Sequence, residues 1–170
     1  MRRIATRGFT LLEVLIALLV FSLGLLGVAG LMVVSVKTNN SAYLRTQASF
    51  LAQSMADRMR ANTGKINDYN GDYDSSTASP GPYCSAGCNP DGIVARDRAL
   101  WSQQLTTLLP PNTTANINCV GNVLGTPATS GASTYDGICT FTISWNEATL
   151  EQTNSPGLPP PQTFAWVFQP

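Results

Sequence analysis

The sequence predicts an α+β protein, a long amino-terminal helix packed on a small antiparallel sheet with an extra helix and disulfides. Three observations carry this expectation. Residues 14–36 hold no charged side chain. An apolar stripe at helical spacing follows with no Pro or Gly between Lys37 and Ala61. Three short stretches of alternating polarity then lie in the second half of the chain.

The uncharged run from Val14 to Val36 spans roughly 35 Å as a helix, enough to cross a bilayer. Ser22 and Ser35 can bond back to the helix backbone. Gly24, Gly27 and Gly30 interrupt the run. They fit either close helix–helix approach or a locally weak stretch that extends on assembly. Arg2, Arg3 and Arg7 precede it, with no acid among the first eight residues, so the positive-inside rule places that end in the cytoplasm. The segment is too long for an ordinary secretory signal, whose apolar core is roughly 7–15 residues.

Leu44, Ala48, Leu51, Met55 and Met59 form the stripe of the second helical half, and Gly64 is expected to stop it. A helix from Phe9 to about Asn62 is roughly 80 Å long. Residues 65–92 read as loop, with Asn89-Pro90-Asp91-Gly92 as a tight turn. Asp68, Asp72 and Asp74 miss the calcium-loop spacing and read as solvated. A second helix is expected from Ile93 to Leu109, with Val94, Trp101, Leu105 and Leu108 on one face and Pro110-Pro111 as its stop. Strands are expected at 115–120, 138–145 and 163–168.

The formal charge is zero, but without the first eight residues ten acids face seven Lys and Arg, a balance of −3. No basic excess remains for gripping phosphates, so no nucleic-acid partner is expected. Histidine is absent, which excludes His-based nucleophile activation and His-ligated metals. A Lys-based dyad at Lys65 is a formal loophole; the chain reads as no enzyme, with no metal and no cofactor. Cys84, Cys88, Cys119 and Cys139 all follow the apolar segment, which favours disulfides in one of three connectivities. Antiparallel pairing of the first two strands brings Cys119 to Cys139 and leaves Cys84 with Cys88.

One carboxylate, Glu13, stands at the threshold of the apolar run, where ionised groups are costly. Gly8-Phe9-Thr10-Leu11-Leu12-Glu13 resembles the prepilin cleavage motif of type IV pilins and pseudopilins. That resemblance implies cutting between Gly8 and Phe9 by a prepilin peptidase, N-methylation of Phe9, and a role for Glu13 in subunit assembly. It implies the pilin-like lollipop fold. It divides the chain into a cleaved leader (1–8), a transmembrane and assembly helix (9–36), an amphipathic helix half (37–63) and a periplasmic head (64–170). The stretch "LLEVLIALLVFSLGLLGVAGL", the "LLPP" helix end and the "ISW" strand end are similar to the PilV family of minor pilins, or type IV pilus modification proteins. The implied partners are other minor pilins, the major pilin and a large tip adhesin, and the implied location is the inner membrane and then the pilus at the cell surface. A minor pseudopilin of type II secretion and a DNA-capturing competence pilin are the alternative expectations.

Overall fold

The computed structural model describes residues 8–78, 81, 84, 87–124, 134–147 and 161–170. By its contacts the chain falls into two units, Met1–Asn40 and Ser41–Pro170. Helix α1, Leu11–Ala61, contributes to both. In the first unit every described residue is exposed, and α1 continues unbroken through Gly24, Gly27 and Gly30. The hydroxyl of Ser22 donates to the Leu19 carbonyl at 2.8 Å, which hides its polarity on the helix itself.

In the second unit the apolar stripe becomes core. Leu44, Ala48, Leu51, Ala52, Met55, Ala56 and Met59 are buried. Helix α1 gives way at Asn62 to a 3-10 segment, Thr63–Tyr69, which buries Ile66 and Tyr69 and leads into strand β1, Gly71–Tyr73. The region expected as loop is therefore partly regular. Its order comes from tertiary pairing: Arg98 donates to the Asp68 and Asn70 carbonyls at 3.0 and 2.9 Å and lies 4.8 Å over the Tyr73 ring. Gly71 has φ +130°, in the region that favours glycine, with the Arg98 guanidinium against it.

Helix α2 runs Pro90–Leu108, three residues earlier than expected. The Asn-Pro-Asp-Gly stretch is not a free turn but the helix start. The Asn89 side chain accepts from the Gly92 N–H at 2.8 Å, and Pro90 occupies the first turn, where its missing N–H costs nothing. At the far end Leu108 is 43% exposed, against expectation, and Leu109 is buried instead. Leu109 has left helical geometry (φ −113°, ψ 164°), which turns its side chain back to the core. The Trp101 indole donates to the Leu51 carbonyl at 2.8 Å, fixing α2 against α1 with a bond in a fully buried place.

Four strands form one antiparallel sheet in the order β1, β2 (Thr114–Val120), β5 (Ile138–Trp145), β6 (Gln162–Phe168). A two-stranded ribbon, β3 (Val123–Leu124) and β4 (Thr134–Tyr135), lies in the β2–β5 connection. It leaves the sheet where Gly121 and Gly137 touch backbone to backbone, and a Cβ on either would overlap the other. Ile117, Cys119, Cys139, Phe141, Ile143 and Trp145 face the core, as their alternation requires. Phe164 and Trp166 on the last strand are only partly buried. Phe141 stacks on Trp166 and Phe168, with ring centroids 5.9 and 5.3 Å away.

Asp97 is buried at 8% exposure and carries two bonds, from the Tyr69 hydroxyl at 2.8 Å and from Arg58 at 3.0 Å. This network joins α1, the 3-10 segment and α2. Disulfides join Cys84 to Cys88 and Cys119 to Cys139. Cys119 directs both its N–H and its carbonyl at the Asn70 side chain, 2.6 and 3.2 Å away. Its pairing with Cys139 in the register is thus a non-hydrogen-bonded pair, the kind in which side chains come closest.

Replacing Cys119 and Cys139 together by Ala should lower stability by about 3 kcal/mol, and replacing Cys84 and Cys88 by about 2 kcal/mol, from the difference in closed loop length. Paired melts of the two variants check the ranking; a larger loss from the Cys84–Cys88 variant contradicts it. Burial, and for Tyr69 the facing Asp97, raise the Tyr69 and Tyr73 phenols well above their ordinary value. A raised phenol keeps its proton while the unfolded chain has lost it. The contribution is therefore complete below about pH 10 and is lost as pH rises past it. Melts above pH 10 should show that decline, and Tyr73→Phe should lessen it.

Candidate functional site

The amino-terminal end of α1 is built by one residue. Thr10 precedes the first helical residue, Leu11, and receives the Glu13 N–H on its hydroxyl at 3.2 Å and on its carbonyl at 3.1 Å. The Val14 N–H also reaches the Thr10 carbonyl, at 3.3 Å. Thr10 is the N-cap and Glu13 the third helical residue, so Thr10-Leu11-Leu12-Glu13 has the spacing of a capping box. Sequence reading singled out Glu13 for assembly but overlooked this local duty, although Thr and Glu at that spacing signal it.

The placement has an electrostatic consequence. Orphan N–H groups give the start of a helix roughly half a positive charge, and a carboxylate in the first turn is stabilised there by about 0.3–1 kcal/mol. Glu13 is exposed, as is Phe9 at 83%. Phe9, Glu13, Val14, Ala17, Leu18 and Phe21 line one shallow groove along the helix. Glu13 is the polar member of an otherwise apolar set. Gly8 has open space where a side chain would stand.

The remaining singled-out residues belong to the second unit. Cys84–Cys88 precedes α2, and Cys119–Cys139 ties β2 to β5. Asp68 pairs with Lys65, Asp72 accepts from Asn116 at 2.7 Å, and Asp74 caps the turn at Ser76 and Thr77. Among the described residues no group of three or more Cys, Asp or Glu is placed to hold a metal ion. The Lys65 amine is held above its ordinary pKa by its bonds to Asp91 and Asp68, which works against a role as a general base.

Residues 3–29 match the family model of the prokaryotic N-terminal methylation motif. Comparisons with curated proteins and with solved structures give no match. Among the described residues one helix, α1, is long and apolar enough to cross a membrane.

Thr10→Ala should fray the first turn and speed exchange of the Glu13 amide, at a cost of about 1 kcal/mol, while Thr10→Ser keeps the cap. Amide exchange in lipid or detergent reads this out; unchanged exchange in Thr10→Ala would remove the cap assignment. The methylation motif, with a capped first turn that presents Glu13 on an exposed apolar helix, supports a type IV pilin or pseudopilin.

Proposed function

We propose that the chain is a minor pilin of a type IV pilus, of the PilV kind, that helps to initiate pilus assembly within a minor-pilin complex at the filament tip. One observation carries the reading: Glu13 is the single charge between Arg7 and Lys37, and it is held on the first helical turn beside Phe9. A prepilin peptidase cuts between Gly8 and Phe9 and methylates the new amino terminus. The waiting subunit sits in the inner membrane with its start in the cytoplasm and residues 64–170 in the periplasm. On joining the filament, Glu13 meets the terminal amine of a neighbouring subunit. Opposite charges attract far more strongly among apolar helices than in water, so the pair favours extraction and sets the axial register.

The side-chain chemistry of the head supports a structural subunit over a catalyst or a DNA-capturing pilin. Of the three basic residues after position 64, Lys65 is paired with Asp68 and Asp91, and Arg98 is committed to backbone carbonyls. The amino-terminal geometry equally suits a minor pseudopilin of type II secretion, and the neighbouring genes separate the two. Other minor pilins, the major pilin and a tip adhesin are the proposed partners.

Mass spectrometry of the mature protein should find N-methylated Phe9 as its first residue. Glu13→Ala should insert in the membrane normally and fall severalfold in sheared filaments. Recovery of that variant at the parental level, or a mature terminus elsewhere, contradicts the assignment.

A further inference from the structure

The two edges of the head sheet are guarded unequally. At one edge β1 has only three residues, carries the charge of Asp72 and is flanked by Arg98. The other edge is β6, seven residues reading QTFAWVF, with no charge, no proline and no glycine. Exposed edge strands of that kind are a liability that proteins ordinarily blunt with Lys, Pro or a covering segment.

The register shows which groups face outward. Because Cys119–Cys139 is a non-hydrogen-bonded pair, Cys139, Phe141, Ile143 and Trp145 turn their N–H and carbonyl groups away from β2 and toward β6. Their partners Phe168, Trp166, Phe164 and Gln162 complete the ladder. Thr163, Ala165 and Val167 therefore aim three N–H and three carbonyl groups outward, and among the described residues these find no partner. Their side chains are exposed, small or medium in size, and uncharged.

We infer that the β6 edge, through Thr163, Ala165 and Val167, binds an extended, uncharged segment of another polypeptide, which joins the sheet as a fifth strand. A row of alternating donors and acceptors at strand spacing is matched only by extended backbone, and the side chains such a strand would lie beside, Thr163, Ala165 and Val167 on one face and Phe164, Trp166 and Phe168 on the other, are all uncharged, which favours uncharged neighbours across the pair. A second copy fits less well. Arg45 bonds Gln162 and Arg60 lies over Phe168, so residues 45–60 of α1 run in the same sense as β6. Antiparallel pairing of two β6 strands would set those helical stretches in opposite senses, whereas chains anchored in one membrane start from the same side. The inference does not depend on which filament the chain serves.

The test uses the full chain in detergent micelles and a capped, alternating Thr-Val peptide as long as β6. Hydrogen exchange of the Thr163, Ala165 and Val167 amides is the readout. Strand addition slows these amides about tenfold or more, and the same peptide N-methylated at every residue leaves them unchanged. Equal slowing by both peptides, or by neither, overturns the inference. Concentration-dependent protection of the same amides without peptide assigns the edge to a second copy and also overturns it. Ala165→Pro removes an outward N–H and spares the inner ladder, so it should melt as the parent does and lose the peptide's protection of Thr163 and Val167. Retained protection in a folded Ala165→Pro contradicts the inference, and the N-methylated peptide decides alone if that variant does not fold.

Discussion

A carboxylate in an apolar helix needs a partner, and the amino-terminal segment is organised around that need. The cap at Thr10 supplies part of the answer within the chain itself, because the helix start offers its orphan N–H groups and partial positive charge to Glu13. That local stabilisation is small beside the cost of burying an ion among lipid tails or packed helices. Glu13 is comfortable at an aqueous interface and uncomfortable in an apolar interior, unless a cation arrives. In the proposed function the cation is the amine of a neighbouring subunit, and the same carboxylate serves first as a helix signal and then as an assembly contact.

The second unit solves a different problem, which is how a small head with long connections stays folded. Its answer is to join elements by bonds that also bury apolar surface. Trp101 fills the core and fastens α2 to the Leu51 carbonyl, while Asp97 gathers Tyr69 and Arg58 from two other elements. The Asn70 side chain occupies the place of a strand residue beside Cys119, so the sheet continues past the short β1. The Cys119–Cys139 bridge then locks the register that leaves the outward groups of β6 available.

Much of this was legible in the residues. The stripe Leu44, Ala48, Leu51, Met55 and Met59 holds its period because one helix face is buried throughout, and all five are core. The alternation from Cys139 to Trp145 likewise maps onto buried and part-exposed positions. Strand β1 was not legible, since three residues carry no period and owe their conformation to pairing with Ala115, Asn116 and Ile117. Turn chemistry misled at Asn89-Pro90, because Asn and Pro serve equally in a turn and in the first positions of a helix. The stretch 156–161, expected to carry the chain over the surface, lies outside the described residues except for Pro161. At the candidate site the Gly8-Phe9 junction and Glu13 stand out in the sequence. The cap at Thr10 did too, but the unusual acid drew the reading away from its ordinary role.

The account rests on Glu13 finding its cation in another subunit, and not in the amine of its own chain four residues earlier on the same groove. A filament assembled from two labelled pools, this chain with carbon-13 in the Glu13 carboxylate and the partner pilins with nitrogen-15 at their terminal amines, set beside one with both labels in this chain, separates these directly. Solid-state NMR dipolar recoupling between the pools should show a contact at ion-pair distance. A contact seen only when both labels share one chain, or none in either sample, would contradict the claim.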